Sequence, residues 1–223
     1  MYRTLFDYEQ SLNFLRELPE QMQGGEVCIS FIPSKLLIQG HDLGGQLLWS
    51  FRPPLVFPRM LADETLAHYN SVLANTLPDY LILLLRANGN ASIAHCEQGR
   101  ILNHKVIRKY MVRQKQGKSQ LKHLKTKGKS RAGSRIRLQQ TQEFAQEINQ
   151  KLLDWEVENV SRILVSTSIP VWNLLFSVQP LPPFEKRDTR LRKIPYHVNT
   201  PNHANLKQLN HLLGQGMFWA SQV

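Results

Sequence analysis

The chain has 223 residues, of which 42% are hydrophobic and 20% are charged. This composition is typical of a folded globular protein and excludes a wholly disordered chain. The two cysteines, Cys28 and Cys96, lie far apart in sequence, which excludes a disulfide scaffold and a cysteine-rich zinc site and suits a reducing compartment. The longest apolar run is too short to span a membrane and the first residues lack a secretion signal, so we expect a cytoplasmic protein without a membrane partner.

Positive charge is concentrated in one internal stretch, residues 105–137, which we call the basic segment. The chain has a formal net charge of +11, and the basic segment holds thirteen lysines and arginines and no acid. The rest of the chain has fifteen basic and seventeen acidic residues. Charge of this density favours a polyanionic partner such as nucleic acid, with a solvated surface loop as the alternative. Tyr110 is the one aromatic residue in the segment, so contact with the phosphate backbone is expected rather than base stacking.

The N-terminal part of the chain is predicted to be rich in short strands. Apolar residues recur at helical spacing over residues 8–22, and Pro19 is expected to break this helix. Glycine and proline then separate three apolar stretches, which predict a strand meander at 27–32, 36–38 and 47–51. We assign residues 1–60 to an N-terminal strand-rich subregion, and a helix is predicted next, over 61–77.

The remainder of the chain alternates between strands and helices. Residues 80–85 are apolar on both faces, as is typical of a central strand, and Asn88-Gly89 predicts a hairpin. Residues 114–134 have almost nothing to bury and are expected to form a flexible, protruding basic loop. The other elements predicted here are strands at 92–96 and 101–113, a helix at 138–155, a strand pair at 163–165 and 172–176, and a last helix at 206–213 capped by Asn202.

This order of elements predicts an α/β or α+β fold, with a mixed β-sheet flanked by helices. No linker of distinct composition separates the two halves of the chain. The sequence therefore predicts a single domain that spans residues 1–223.

The spacing of glycines and histidines in the sequence does not match the common phosphate-binding and metal-binding motifs. Two Gly-Lys-Ser triplets resemble the end of a phosphate-binding loop, but Val112 and His123 stand where that loop requires its first glycine. The eight histidines show no paired metal-ligand spacing. We therefore expect no NTPase loop, no metal site and no cofactor.

The remaining candidate site is Gly117-Lys118-Ser119-Gln120, inside the basic segment. The amide of Gln120 does not titrate near neutral pH, but it can orient a water molecule and make hydrogen bonds at a reacting centre. A glutamine on a loop that attracts phosphate suits a reaction of water with an RNA substrate. The residues alone leave a second interpretation open, in which Gln120 is an ordinary residue of a basic linker.

The basic segment also carries a resemblance to a known family. Residues 108–120 (Arg-Lys-Tyr-Met-Val-Arg-Gln-Lys-Gln-Gly-Lys-Ser-Gln) and 131–137 (Arg-Ala-Gly-Ser-Arg-Ile-Arg) resemble the Vms-like release factor family. Its members are related to the middle domain of eukaryotic and archaeal class-one translation release factors. Residues 163–176 and 188–195 are similar to the closing strands and the Asp-x-Arg-x-x-x-x-Pro loop of the family. The resemblance covers a family-like core at 80–213 and does not extend to residues 1–60.

The resemblance implies a release-factor middle-domain-like fold that reaches the peptidyl-transferase centre of the large ribosomal subunit. Such a protein frees stalled nascent chains from peptidyl-tRNA. By position, Gln120 would orient the nucleophile from the motif loop of Gly117, Lys118 and Ser119. Contacts to RNA phosphate would come from the surrounding cations Arg113, Lys115, Lys122, Lys125, Arg131, Arg135 and Arg137. The expected partners are the large ribosomal subunit and peptidyl-tRNA, bound by a monomer.

The motif departs from that of the release factors at one point. Those proteins use Gly-Gly-Gln, whereas Lys118 and Ser119 separate Gly117 from Gln120 in this chain. Hydrolysis of the peptidyl-tRNA ester and endonucleolytic clipping of the tRNA near its 3′ CCA end therefore stay open as two chemistries. A third interpretation is a non-catalytic ribosome-binding or RNA-binding module, in which the loop only docks.

Overall fold

The structure is a computed structural model, and it describes residues 2–23, 27–32, 35–58, 66–75, 78–111 and 129–220. The strands in these ranges are β1 (Tyr2–Phe6), β2 (Cys28–Ile32), β3 (Leu37–His41), β4 (Leu47–Arg52), β5 (Asp79–Leu85), β6 (Asn90–Glu97), β7 (Arg100–Arg108), β8 (Arg162–Ser166), β9 (Leu191–Lys193) and β10 (Gly216–Ala220). The helices are α1 (Tyr8–Gln23), α2 (Leu66–Asn75), α3 (Lys129–Asp154), α4 (Ile169–Leu175) and α5 (His203–Leu213). The chain divides into two compact units, and each is described by itself.

The first unit comprises Met1–Tyr80, Cys96–Arg100 and Gln208–Val223. Its sheet has the order β1-β10-β4-β3-β2, and every neighbouring pair is antiparallel. Helix α1 packs on one face of this sheet, where the ring of Phe14 lies 4.5 Å from that of Phe51. The strands β1 and β10 come from opposite ends of the sequence, and the sequence pattern predicts neither of them.

Helix α1 continues through Pro19, so the expected break at this residue is wrong. Proline lacks the N–H that would bond to the carbonyl four residues earlier, which here belongs to Leu15. The side-chain amide of Asn70, on α2, donates a buried hydrogen bond to this carbonyl. The neighbouring helix therefore supplies the hydrogen bond that proline removes.

The second unit comprises Leu81–His95 and Ile101–Lys207. It holds most of a sheet with the order β7-β6-β5-β8-β9, in which β8 and β9 are parallel. Helix α3 contributes Phe144, Ile148 and Leu152 to the buried core of this unit. Sheets and helices together give the α+β fold that the sequence predicts.

Residues 172–176 are not the strand that the sequence predicts, because they lie in or directly after helix α4. Val171 and Leu175 are both buried in this helix, one helical turn apart. Pro170 stands in the first turn of α4, where proline is favoured, and a short apolar run does not distinguish a strand from a helix. The strand that pairs with β8 is β9 instead.

Two boundaries near the basic segment also differ from the prediction. Helix α3 begins at Lys129, inside the predicted loop 114–134, and β7 ends at Arg108. Four of the first seven residues of α3 are lysine, arginine or alanine, which favour helix without needing burial. The cap of the last helix is confirmed, since Asn202 Oδ1 accepts a 2.8 Å hydrogen bond from the backbone N–H of Asn205.

Candidate nucleic-acid interface

The predicted motif falls between β7 and α3, which lie on either side of residues 112–128. Eight predicted site residues are outside the residues that the structure describes: Arg113, Lys115, Gly117, Lys118, Ser119, Gln120, Lys122 and Lys125. Arg131 belongs to α3, and its side chain is also outside the described part. Arg135 is exposed and Arg137 is half-buried on the same helix.

The chain that leaves β7 is fixed by the turn between β5 and β6. The backbone N–H of Lys109 donates a 2.8 Å hydrogen bond to the carbonyl of Gly89. Gly89 has a φ of +87°, and a Cβ at this position would collide with the Lys109 carbonyl. Two residues further on, Met111 packs against the core of the second unit. The strand side of the motif is thus attached to the core up to Met111.

Two lysines of the basic segment are paired with glutamates of α3. Lys109 Nζ lies 3.1 Å from Glu147 Oε2 and 3.8 Å from Glu143 Oε2. Lys105 Nζ lies 3.6 Å from Glu147 Oε1. Residues four apart share one side of a strand and one face of a helix, so this spacing brings both pairs together. These lysines connect the strand to the helix, and their charge is partly neutralised before any phosphate approaches.

Residues 135–142 of α3 are mostly polar and include two arginines. No side chain is buried between Arg135 and Gln142, a stretch that we call the α3 arm, and the core contacts of the helix begin at Phe144. The helix rises by about 22 Å from Lys129 to Phe144. Ile136 and Leu138 of the arm are 54% and 64% exposed.

The arginines of the α3 arm are available to an external anion. In the described part of the chain, neither Arg135 nor Arg137 has an ion-pair partner. The acid nearest to them in sequence, Glu143, instead accepts 2.8 Å hydrogen bonds from Gln139 and Gln140. The α3 arm itself contains two arginines and no acid, so it carries net positive charge, which favours contact with an RNA backbone.

The Asp188–Arg190 pair of the family-like Asp-x-Arg loop has a structural role that the sequence pattern does not reveal. The Arg190 guanidinium donates to both oxygens of Asp188, at 3.0 and 2.7 Å, and also to the carbonyls of Glu158 and Val160. The hydrogen bonds from Arg190 to its carboxylate hold the pKa of Asp188 below its ordinary value. The pair fixes the chain immediately before β9, and so places that strand beside β8.

The buried cysteine is not a candidate nucleophile, and no metal centre is found among the described residues. Burial raises the pKa of the Cys96 thiol to about 12, so its reactive thiolate is not populated at neutral pH. No group of three or more metal-ligating side chains occurs among the residues that the structure describes. No helix in the same ranges is both long and apolar enough to cross a bilayer.

These features define a class of protein. It is an α+β protein in which residues 112–128, which we call the motif segment, lie between a core-attached strand and a helix that begins with a basic arm. A family model described as "Bacteroidetes VLRF1 release factor" matches residues 81–217, a range that includes the predicted motif and both flanking elements. The chain therefore belongs to this family of release factors, and the resemblance to Vms-like release factors is confirmed.

The chain is also similar to a solved structure titled "Vms1 mitochondrial localization core", with a TM-score of 0.46 and 14% sequence identity, over 95% of this chain and 84% of that one. No curated protein matches the sequence.

Proposed function

We propose that the protein is a ribosome-associated release factor that frees stalled nascent chains from peptidyl-tRNA in the peptidyl-transferase centre. Its membership of a release factor family supports a role in translation. The observation that carries the proposal is the position of Gly117–Gln120 within the acid-free basic segment. The elements on both sides of this motif contribute to a single core, through Ile107 and Met111 on one side and Phe144 on the other.

In this proposal, Gln120 orients the water molecule that attacks the ester carbon. The oxygen of the water becomes part of the peptide carboxylate as the ester bond breaks. One proton of the water goes to the 3′ oxygen of the terminal ribose and the other is released to solvent. A neutral amide can accept a hydrogen bond from the water and donate one to the substrate. Gly117 supplies backbone conformations that other residues rarely adopt.

The proposed partners are the large ribosomal subunit and peptidyl-tRNA, bound by a monomer in the cytoplasm. The cations that we expect to contact RNA phosphate are Arg113, Lys115, Lys122, Lys125, Arg131, Arg135 and Arg137. The described side chains among them, Arg135 and Arg137, lie on the α3 arm, where one is exposed and the other half-buried. Lys105 and Lys109 are left out of this set because they are paired with glutamates.

Release of a labelled nascent chain from purified stalled ribosome complexes tests the role of Gln120. We expect Gln120→Ala to lower the release rate by about 100-fold or more, since an oriented hydrogen-bonding group at a reacting centre contributes that much. Binding to the large subunit, measured by co-sedimentation, should stay within about twofold because the cations are intact. Gln116→Ala is the matched control, since it removes the same amide four residues earlier in the same segment. Equal release by the two variants would refute a catalytic role.

A tRNA 3′-end endonuclease is the second candidate function. It is favoured by the departure of the motif from Gly-Gly-Gln, since Lys118 and Ser119 add a cation and a hydroxyl directly before Gln120. Mapping the 3′ end of the released tRNA separates the two reactions: an intact CCA end indicates ester hydrolysis and a shortened end indicates nuclease action. If wild-type protein binds the ribosome but produces neither product, the chain is a non-catalytic ribosome-binding module.

A further inference from the structure

The second unit contains a cavity of about 240 Å³ that the proposed reaction does not use. It lies at the carboxyl ends of the parallel strands β8 and β9, the position at which α/β sheets commonly bind ligands. Its lining is largely apolar, with a few polar groups. The lining side chains that matter for binding are Ser168, Ile169, Trp172, Leu191, Arg192 and Lys193.

The indole of Trp172 is held in place before any ligand binds. Its ring stacks on Phe184, with centroids 5.9 Å apart and an interplanar angle of 11°, and meets Phe176 edge-on at 5.2 Å. Its Nε1–H donates a 3.3 Å hydrogen bond to the carbonyl of Lys186. Because this N–H is already bonded, Trp172 offers a ligand an aromatic surface rather than a hydrogen-bond donor.

The chain around the cavity is strongly basic. Residues 186–193 contain five lysines and arginines and one acid, Asp188, whose carboxylate is already bonded to Arg190. Lys186, Arg187 and Lys193 are exposed. The cavity therefore combines an apolar, aromatic interior with a cationic surround, and an anion with a flat apolar part complements both.

Hydrogen bonds fix the two chain segments that form the walls of the cavity, the β8–α4 connection and β9. Arg86 donates 2.6 and 3.0 Å hydrogen bonds to the carbonyl and hydroxyl of Ser166, immediately before the β8–α4 connection. The Asp188–Arg190 pair fixes the chain immediately before β9. A site supported in this way does not need to form during binding, which lowers the entropic cost of association.

We propose that this cavity binds one unpaired nucleotide of an RNA strand. The base lies against Trp172, between the apolar side chains of Ile169 and Leu191, and the phosphate is held by Lys193 and the neighbouring exposed cations. The cavity is smaller than those that hold drug-sized ligands, which suits a group the size of a nucleobase. Ile169 is 77% exposed at the edge of the cavity, and a bound nucleotide covers it. An acidic peptide with an apolar side chain would also pair with the cations, but it has no flat group to stack on the Trp172 ring. An RNA nucleotide makes both interactions.

Photocrosslinking of the full-length protein tests the proposal. The probe is a single-stranded RNA hexamer with one 4-thiouridine, and the crosslinked peptides are identified by mass spectrometry. We expect crosslinks within residues 165–172 or 191–193. Ile169→Glu should reduce them at least fivefold, because it places a carboxylate beside the phosphate. Leu181→Glu is the matched control, since Leu181 is also exposed, at 48%, but does not line the cavity.

Several outcomes would overturn the proposal. Crosslinks confined to the basic segment would do so, as would equal crosslinking by the Ile169→Glu and Leu181→Glu variants. The indole N–H resonance of Trp172 gives a second measurement: if it shifts with a glutamate-rich decapeptide containing one leucine but not with the RNA hexamer, the cavity is a peptide site. This inference goes beyond the proposed release activity, and Gln120→Ala should crosslink at the cavity like the wild type. The release assay and the crosslinking assay can therefore refute the two proposals independently of each other.

Discussion

Lys109 and Glu147 form an ion pair, with Nζ and Oε2 3.1 Å apart, that joins the strand side of the motif segment to helix α3. Their side chains are 24% and 31% exposed, so water screens the pair only in part. Pairs of this kind contribute modestly to stability, by about 0.2–1 kcal/mol. We infer that the pair matters more for the relative position of the two ends of the motif segment than for folding.

The first prediction concerns the strength of this ion pair. A double-mutant cycle with Lys109→Met and Glu147→Gln, measured by urea unfolding, should give a coupling energy of about 0.5–1 kcal/mol at low salt. The coupling should fall in 1 M NaCl because the pair is partly exposed. Lys151 and Asp154 provide a control on the same helix, since they form a 2.6 Å pair that is more exposed. A coupling no larger than that of the control would contradict the prediction.

The second prediction concerns the glycine that supports the chain after β7. Gly89→Ala should destabilise the protein by about 3 kcal/mol or more, because it combines a left-handed φ with a collision against the Lys109 carbonyl. Gly45→Ala is a matched control, since Gly45 has a similar φ of +83° but open space around its Cβ position. That change should cost only about 1 kcal/mol. Urea unfolding of both variants measures the difference, and equal costs would rule out the collision.

The third prediction follows from the contact between helices α1 and α2 in the first unit. Asn70→Ala should cost about 1–3 kcal/mol, because it leaves the buried Leu15 carbonyl without a hydrogen bond. In a Pro19→Ala background the same change should cost less, since the substituted residue would supply the missing N–H within the helix. A double-mutant cycle measures this coupling. If Asn70→Ala costs the same in both backgrounds, the amide does not replace the bond that proline removes.

Much of the fold follows from local sequence pattern. The central strand, the Asn88-Gly89 turn and the Asn202 cap are all set by residues close together in the chain, and the structure confirms each of them. Helix α1 contradicts the local signal because Asn70 compensates for Pro19 from 51 residues away. The strand predicted at 172–176 is wrong for a related reason. The apolar residues of this stretch suit a strand or a helix equally well, and the place beside β8 that we predicted for it is taken by β9, which comes later in the chain.

The candidate site was predictable in composition but not in detail. The absence of acids across the basic segment and the family-like motif are visible in the sequence, and the family is confirmed. The pairing of Lys105 and Lys109 with α3 was also accessible, because lysines and glutamates each recur at a spacing of four. The Trp172 cavity was not, since it forms only when β9 pairs with β8, and residues 176–190 separate β9 from the end of α4.

The fourth prediction concerns acid sensitivity. The pKa of Asp188 is lowered in the folded protein, so its contribution to stability is present above the unfolded pKa of about 3.9 and is lost as the pH falls through the folded pKa. Asp188→Asn should therefore cost about 1–2 kcal/mol at pH 6 and clearly less at pH 3. Urea unfolding at the two pH values measures this difference. Asp154→Asn, which breaks a more exposed pair, should change stability less at pH 6. A cost that does not depend on pH would show that the Asp188 carboxylate charge is unimportant.

The fifth prediction concerns the salt dependence of ribosome binding. The affinity should fall steeply as salt rises, because each phosphate that the protein neutralises releases condensed counterions. Arg135→Ala and Arg137→Ala should each weaken binding and reduce the slope of log affinity against log salt by about one. Lys151→Ala is the control, since Lys151 lies on the same helix but is paired with Asp154. Titrations of the large subunit between about 50 and 200 mM salt measure these slopes. If neither arginine variant changes the slope, the α3 arm does not contact RNA. If Lys151→Ala reduces the slope as much as the arginine variants do, the effect is common to any cation on α3.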